Sequence, residues 1–345
     1  MCIAYLLLVS YFLIDKWWIE LLSFLIPFVL ALSLLLFIVS LWMQINWIYV
    51  FFSAIALLLC IKPIQETIAL NFRKDYGYSD VRVVSFNAAA FNPYRGSEFA
   101  SNHQLNADFY SWIREVSPDV LCIQEFYHSD FDDYDQSLDS IVEAGNYKYY
   151  YINPVYKEEQ NGIMGVITFS KYKALQSGEL LYSDNPLNKG TWHDFIIKED
   201  TVRFFNFQLR SMSIRVQNID SLGFFATFFV NVKDIYEKLK FGYHNRRDEL
   251  KKLEEIILSS PYKTIICADI NALPYSITYQ KINTRFHNSF EKGGTGLGFT
   301  YHHFPWFIRI DNQFYDKEIR IDYFKTHTDF KVSDHHPIEA GYSFP

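Results

Sequence analysis

Five short stretches carry oxygen or nitrogen side chains at the ends of strand-like apolar runs. Val83-Val84-Ser85-Phe86-Asn87 ends on an amide, and Pro118-Asp119-Val120-Leu121-Cys122-Ile123-Gln124-Glu125 ends on a carboxylate. Ile265-Ile266-Cys267-Ala268-Asp269-Ile270-Asn271 ends on Asp-x-Asn. Ile308-Arg309-Ile310-Asp311-Asn312 and Ser333-Asp334-His335-His336-Pro337-Ile338 follow. Taken singly, a strand-end carboxylate is most often a turn former or a cap, and Asp-x-Asn serves equally as an Asx-turn. As a set they supply several hard oxygen ligands and a histidine adjacent to an aspartate. Such ligands suit Mg²⁺ or Mn²⁺, which a few carboxylates hold while the ion keeps several waters. A zinc site needs more His or Cys at ligand spacing than the sequence offers. Strand ends in an α/β sheet are also where sites assemble.

The elements that must hold these residues are legible in outline. Val81–Phe86, Val120–Ile123, Gly165–Phe169, Phe204–Phe207 and Thr264–Ala268 read as strands. Phe109–Val116 and Arg246–Leu258 read as helices, the second with Leu250, Leu253, Ile256 and Ile257 on one stripe. Alternation of this kind predicts an α/β domain. Leu222–Lys240 reads as an inserted amphipathic helix, whose aromatic face (Phe224, Phe225, Phe228, Phe229) suits packing first and a membrane surface second.

The N-terminal part is of another kind. Leu21 to Ile61 carries no charge, and residues 1–62 contain only Asp15, Lys16, Glu20 and Lys62 as charged side chains. Leu21–Met43 is long enough to cross a bilayer as a helix, which takes roughly 20 residues. Gln44 to Asn46 break the run, and Trp47–Ile61 is a second candidate span. Met1–Ile14 is apolar but short, giving two to three spans in all. Trp17, Trp18, Trp42 and Trp47 bracket the runs, as rings that favour the interface do. The predicted organisation is an anchor at 1–62, a linker at 63–80 and a catalytic domain at 81–345, in an integral membrane protein of bacterial inner-membrane type. With three spans, Lys16, Lys62, Arg73 and Lys74 share the catalytic side, which weakly favours the cytoplasm without deciding it.

The formal charge of -7 belongs to the residues after the anchor, so the overall field does not draw in nucleic acid. Cys2, Cys60, Cys122 and Cys267 sit in apolar runs and read as buried hydrophobes, with no disulfide framework or metal spacing.

The order Ser-Phe-Asn, Gln-Glu, Ser-Lys-Tyr, Asn-x-x-Leu, Asp-x-Asn, Arg-Ile-Asp and Ser-Asp-His, from Val81 to the C-terminus, resembles the endonuclease/exonuclease/phosphatase superfamily. The resemblance implies a four-layer α/β sandwich, two face-to-face β-sheets flanked by helices, behind the transmembrane helical segment. It implies that Glu125 is the main metal ligand, with Asn87 beside it and Asp334 completing or supporting the site. Asp269 would orient or deprotonate the attacking water, and Asn271 would position phosphate or nucleophile. His335 would hydrogen-bond the scissile phosphate, oriented by Asp311. Arg-Ile-Asp occurs twice; Asp311 lies at the family's distance from Ser-Asp-His, and Asp322, much closer, reads as structural.

The implied activity is hydrolysis of a phosphodiester or phosphomonoester, whether a lipid head group, a small molecule or nucleic acid, with Mg²⁺ (or Mn²⁺) as Lewis acid and the lipid bilayer as a partner. The sequence departs from the family at Gln208, where relatives carry a phosphate-binding His in Asn-x-His-Leu. Arg210, two residues on, is a candidate phosphate clamp. Two alternatives stay open: an endonuclease or exonuclease, and a catalytically weakened, membrane-tethered binding module.

Overall fold

The computed structural model describes residues 1–44, 46–71, 78–91, 102–129, 138–157, 162–185, 188–211, 224–302, 308–330 and 332–345. The chain divides into a first unit (residues 1–68, 210–248 and 272–282) and a second unit (69–209, 249–271 and 283–345). The Asn92 to Ser101 stretch, most of the 71–80 connector and Leu222–Gly223 lie outside the described residues.

In the second unit the strands of the two large sheets are β1 (Val81–Asn87), β2 (Val120–Ser129), β3 (Tyr149–Lys157), β4 (Gly162–Ser170), β5 (Ala174–Glu179), β6 (Gly190–Ile197), β7 (Asp200–Gln208), β8 (Lys263–Asp269), β9 (His287–Asn288), β10 (Asp311–Tyr315), β11 (Arg320–Thr326) and β12 (Ile338–Ser343). They build two six-stranded sheets, in the orders β11-β12-β1-β2-β4-β3 and β9-β10-β8-β7-β6-β5. Both are mixed: β1 runs parallel to β2 and β7 parallel to β8, while the remaining pairs are antiparallel.

The central strands are apolar on both faces because both faces are covered. Val83, Val120 and Cys122 of one sheet meet Phe204, Ile265 and Cys267 of the other in a single buried cluster. The alternate residues Val84, Phe86, Leu121 and Ile123 point outward and pack with Phe109, Trp112 and Ile113 of helix Asn102–Val116 and Ile141 of helix Leu138–Gly145. On the second sheet the outward residues Phe205 and Ile266 are also fully buried, as are Leu250, Leu253 and Ile257 in the last turns of helix Phe224–Leu258. The result is the four-layer sandwich. A polar rivet joins the sheets: Asn206 on β7 accepts from Gln124 Nε2 at 2.7 Å and donates to Ile167 O at 2.9 Å and to Thr168 Oγ1 at 3.0 Å.

His193 on β6 is 1 % exposed, packs against the rings of Tyr151 and Phe195, and among the described residues bonds Thr191 Oγ1 through Nε2 alone. Burial pushes its pKa down to about 3. A histidine held neutral in the fold but free to protonate when unfolded leaves stability untouched above pH 6.5 and erodes it below. The expected loss is about 1.4 kcal/mol per pH unit below 6.5, levelling off near pH 3. His193→Phe should flatten that limb, which denaturant unfolding of the detergent-purified protein at pH 5 and pH 7 measures directly.

The first unit joins the N-terminal helices to two later stretches. Helix Trp47–Leu59 continues through Cys60 into Ile61–Thr67, and over Trp47–Thr67 it is long and apolar enough to cross a membrane, with mean hydropathy 2.0. The candidate span over Leu21–Met43 falls on two helices, Trp17–Ser23 and Ile26–Trp42, bent by 54° and together long and apolar enough to cross a membrane as one broken span. Pro27 stands in the first turn of the second helix. Proline has no amide hydrogen and its ring clashes with the preceding turn, so it starts a helix readily and does not continue one. Cys2–Tyr11 is apolar but shorter than a span. Leu34, Leu35, Ile38, Leu41, Phe51, Phe52 and Leu58 are exposed.

Glu20, on Trp17–Ser23, forms a buried ion pair with Arg246 (Oε1 to Nη2, 3.2 Å), and Asp15 binds Lys281 at 2.6 Å. Trp17 meets Tyr236 edge to face at 5.1 Å, and Gln280 donates to Glu66 at 2.8 Å. The two helices expected over Leu222–Lys240 and Arg246–Leu258 are one, Phe224–Leu258. It runs through Gly242, at a propensity cost of about 1 kcal/mol, which the burial of Leu239 and Tyr243 offsets.

Candidate functional site

Parallel pairing aligns the ends of neighbouring strands, and that alignment builds the site. Asn87 closes β1 opposite Gln124, so Glu125 stands one residue past the register. There β2 is irregular: its pairing with β4 shifts between Ile123 and Phe126, and Glu125 takes φ 47°. A left-handed backbone at a residue with a side chain is costly and persists only where surroundings enforce it. Here it turns a half-buried carboxylate out of the strand alternation. On the other sheet Gln208 ends β7 opposite Asp269, which ends β8, and Asp269 in turn faces Asp311 at the start of β10. His335 reaches the same place from the loop before β12, through the bridge between Tyr301 and His335.

Asn87 joins the two sheets. Its Nδ2 donates to Asp269 Oδ2 at 2.8 Å and lies 3.5 Å from Glu125 Oε1, while its Oδ1 accepts from Ala89 N–H at 2.9 Å. Asp269 Oδ1 accepts from Asn271 N–H at 2.9 Å, and Oδ2 also accepts from Asn271 Nδ2 at 3.0 Å. Asn271 has φ 48°, a conformation its short amide side chain tolerates well, and it also donates to Leu209 O at 3.0 Å. Asp311 Oδ2 meets His335 Nδ1 at 2.8 Å, and Thr300 Oγ1 accepts from Asp311 N–H at 3.1 Å. Asp334 Oδ1 is 3.9 Å from His335 Nε2.

Burial, and then the neighbouring Asp311, push the Asp269 pKa up to about 8. For His335 burial works downward, but the charge and hydrogen bond of Asp311, followed by Asp269 and Asp334, outweigh it and raise its pKa to about 10. The site thus holds a protonated imidazole on Asp311 beside a carboxylate that resists ionisation until positive charge approaches.

One grouping of described side chains has the spacing of a cation site. Asp269, Asp311 and His335 offer ligand atoms within 4.8 Å of one another. Asp311 Oδ1 is buried with no hydrogen-bond partner among the described residues. In that group His335 Nδ1 is already bonded to Asp311 Oδ2, which leaves Nε2 as the nitrogen able to ligate. Glu125 and Asp334 carry carboxylate oxygens of the kind a hard cation prefers, while Asn87 turns its Nδ2 toward Glu125 and its Oδ1 toward Ala89 N–H. A cation here would also remove the obstacle to Asp269 ionisation.

The described structure therefore brings Asn87, Glu125, Gln208, Asp269, Asn271, Asp311 and His335 into one hydrogen-bonded constellation, with Asp334 against His335. Arg210 belongs to the first unit, where its guanidinium lies 5.3 Å from the Phe241 ring centroid. Asp322 is on β11, bonded to Arg320 at 3.0 Å and to Ser343. The Ser-Lys-Tyr block is also remote from the chemistry, since Lys171 binds Asp119 before the start of β2 at 3.2 Å. Ser333 and Thr300 carry no role in the sequence reading. Ser333 Oγ donates to Asn87 O at 2.8 Å and accepts from His335 N–H at 3.1 Å, tying the metal side of the site to the histidine. Ser333 stands inside the Ser-Asp-His block and could have been singled out; nothing near Thr300 marks it.

A family model described as "Endonuclease/Exonuclease/phosphatase family" matches residues 84–335. The search of the curated proteins returned no match. Among solved structures, the chain is similar to the human Nocturnin catalytic domain with bound sulfate anion, at 16 % identity and TM-score 0.52, covering 77 % of this chain and 93 % of that one. It is similar to truncated Caenorhabditis elegans TDP2, at 16 % identity and TM-score 0.51, covering 76 % and 97 %. A Bacteroides thetaiotaomicron mannosyl-6-phosphatase is similar at 15 % identity and TM-score 0.50, covering 76 % and 100 %. At these identities the likeness speaks for the fold.

Proposed function

This chain belongs to the endonuclease/exonuclease/phosphatase family, and we propose that it is a membrane-held, divalent-metal-dependent phosphoester hydrolase that uses water as nucleophile. The observation that carries the reading is the position of Asn87, whose one amide nitrogen bonds Asp269 and approaches Glu125, while His335 stands on Asp311 beside them.

Glu125, Asn87 and Asp334 would hold Mg²⁺ or Mn²⁺, which when bound supplies Lewis-acid stabilisation of charge on the phosphoryl oxygens. The chain's own groups do the rest. Asp269, fixed by Asn87 and Asn271, aligns the water and accepts its proton at a carboxylate oxygen. His335, kept protonated by Asp311, donates a charge-assisted hydrogen bond to a phosphoryl oxygen as negative charge grows there. Asn271, whose amide hydrogens go to Asp269 and to Leu209 O, positions the Asp269 carboxylate. No covalent intermediate is required.

The anchor reading rests on the exposed apolar helix Trp47–Thr67 and the bent pair before it. A chain held at a bilayer meets lipid head groups first, which places a phospholipid ahead of soluble esters. The acidic balance of -7 sets nucleic acid behind both.

The test uses the full-length protein in detergent, assayed with Mg²⁺, Mn²⁺ or chelator against bis(p-nitrophenyl) phosphate, single- and double-stranded DNA, and phospholipid vesicles. Turnover should vanish with chelator and fall at least about 10²-fold in Glu125→Gln. Metal-independent turnover, or none on any substrate from a folded protein, rejects the proposal.

A further inference from the structure

We infer that Gln208 is a positioning residue that holds one oxygen of Glu125 and so aims the other at the metal; the inference rests on the reading of Glu125 as a metal ligand.

Gln208 is 4 % exposed, and its Nε2 donates to Glu125 Oε1 in a short hydrogen bond. The same oxygen is the one 3.5 Å from Asn87 Nδ2. Both amide donors therefore converge on Oε1 and leave Oε2 as the oxygen available to a cation. A carboxylate at a left-handed, irregular turn of β2 has no strand alternation to fix its direction, so a side-chain donor must do it. Gln208 is itself rigid. Its N–H donates to Lys189 O at 3.3 Å, its carbonyl accepts from the Tyr182 hydroxyl at 2.5 Å, and it stands in register with Asp269. An amide suits this task because it donates at every working pH and carries no charge that would compete with the cation. Partners that orient a ligand in this way typically account for about 10- to 100-fold in metal affinity or activity.

Gln208→Met keeps the length and shape of the side chain and removes the donor. Calorimetric titration of full-length protein in detergent with MnCl₂ should show the Mn²⁺ dissociation constant raised about 10- to 100-fold. The KM for bis(p-nitrophenyl) phosphate, measured at saturating Mn²⁺, should stay within about twofold. Gln208→His, which restores an N–H donor, should recover most of the affinity. A Mn²⁺ dissociation constant within about twofold of wild type overturns the inference, whether KM rises, as for a direct phosphate contact, or only the melting temperature falls. A wild-type protein that binds no Mn²⁺ overturns the metal reading beneath it, and the two failures are told apart by the wild-type titration alone.

Discussion

Asp269→Asn should lower turnover by about 10²- to 10⁴-fold, the range that a positioned general base contributes. The substitution keeps the size of the side chain and one acceptor for Asn87 or Asn271, but it removes the atom that takes the proton from water. Its effect should fall on kcat, because the proposed Mn²⁺ ligands Glu125, Asn87 and Asp334 are unchanged. Rapid-quench or steady-state assays at saturating Mn²⁺, paired with calorimetric titration, separate the two. A drop smaller than about tenfold would remove Asp269 from the proton-transfer step.

The pH profile offers an independent check on the same assignment. Asp269 works as a base only when ionised, so the rate should rise as pH passes its pKa, which burial and then Asp311 push up to about 8. Bound cation lowers that limb. His335 works as a donor only when protonated, so the rate should fall as pH passes about 10, where Asp311 and the neighbouring acids hold it against the opposing effect of burial. Asp269→Asn should erase the acid limb and leave the alkaline one.

The second large effect concerns the first unit. Arg246→Met should destabilise that unit by about 3–5 kcal/mol, the usual cost of stranding one member of a buried ion pair. Arg246 is fully buried, with Nη2 3.2 Å from Glu20 Oε1 and Nη1 3.2 Å from Arg210 O. Removing it leaves the Glu20 carboxylate, 2 % exposed, without its counter-ion. Replacing both residues by methionine should recover most of the loss, since an apolar pair of similar volume commonly matches a buried salt bridge. Thermal unfolding in detergent, read by limited proteolysis within residues 1–68, measures both variants. A single variant within about 1 kcal/mol of wild type would show that the pair is replaceable.

Both effects depend on residues that the sequence marks to different degrees. Asp269 is conspicuous, because an apolar run ends on it and Asp-x-Asn follows. Arg246 is not, because a basic residue on an amphipathic helix normally faces water, and its acid partner lies 226 positions away. The edge strands β3, β5 and β11 escaped the sequence reading for a related reason. An edge strand is half exposed, so its apolar alternation is diluted: β5 runs Ala174–Glu179 with four exposed residues, and β11 places Arg320 and Lys325 among its seven. The buried central strands β1, β2, β4, β7 and β8 were plain because both of their faces must be apolar.

The sequence alone determined the α/β class, five of the eight inner strands (β1, β2, β4, β7 and β8), the apolar N-terminal helices and the cluster-forming residues from Asn87 to His335, because each is written in local pattern. Burial demands apolar runs, and chemistry demands particular side chains at the ends of those runs. Spacing to Ser-Asp-His already favoured Asp311 over its near-duplicate Asp322, and the structure places Asp311 on His335. The tertiary structure alone decided two things. It grouped residues 210–248 and 272–282 with the N-terminal helices through pairs such as Glu20 with Arg246 and Asp15 with Lys281. And it gave the Gln208 amide to Glu125. The common reason is that each outcome depends on which strand or helix lies beside which, and distance along the chain carries no record of that.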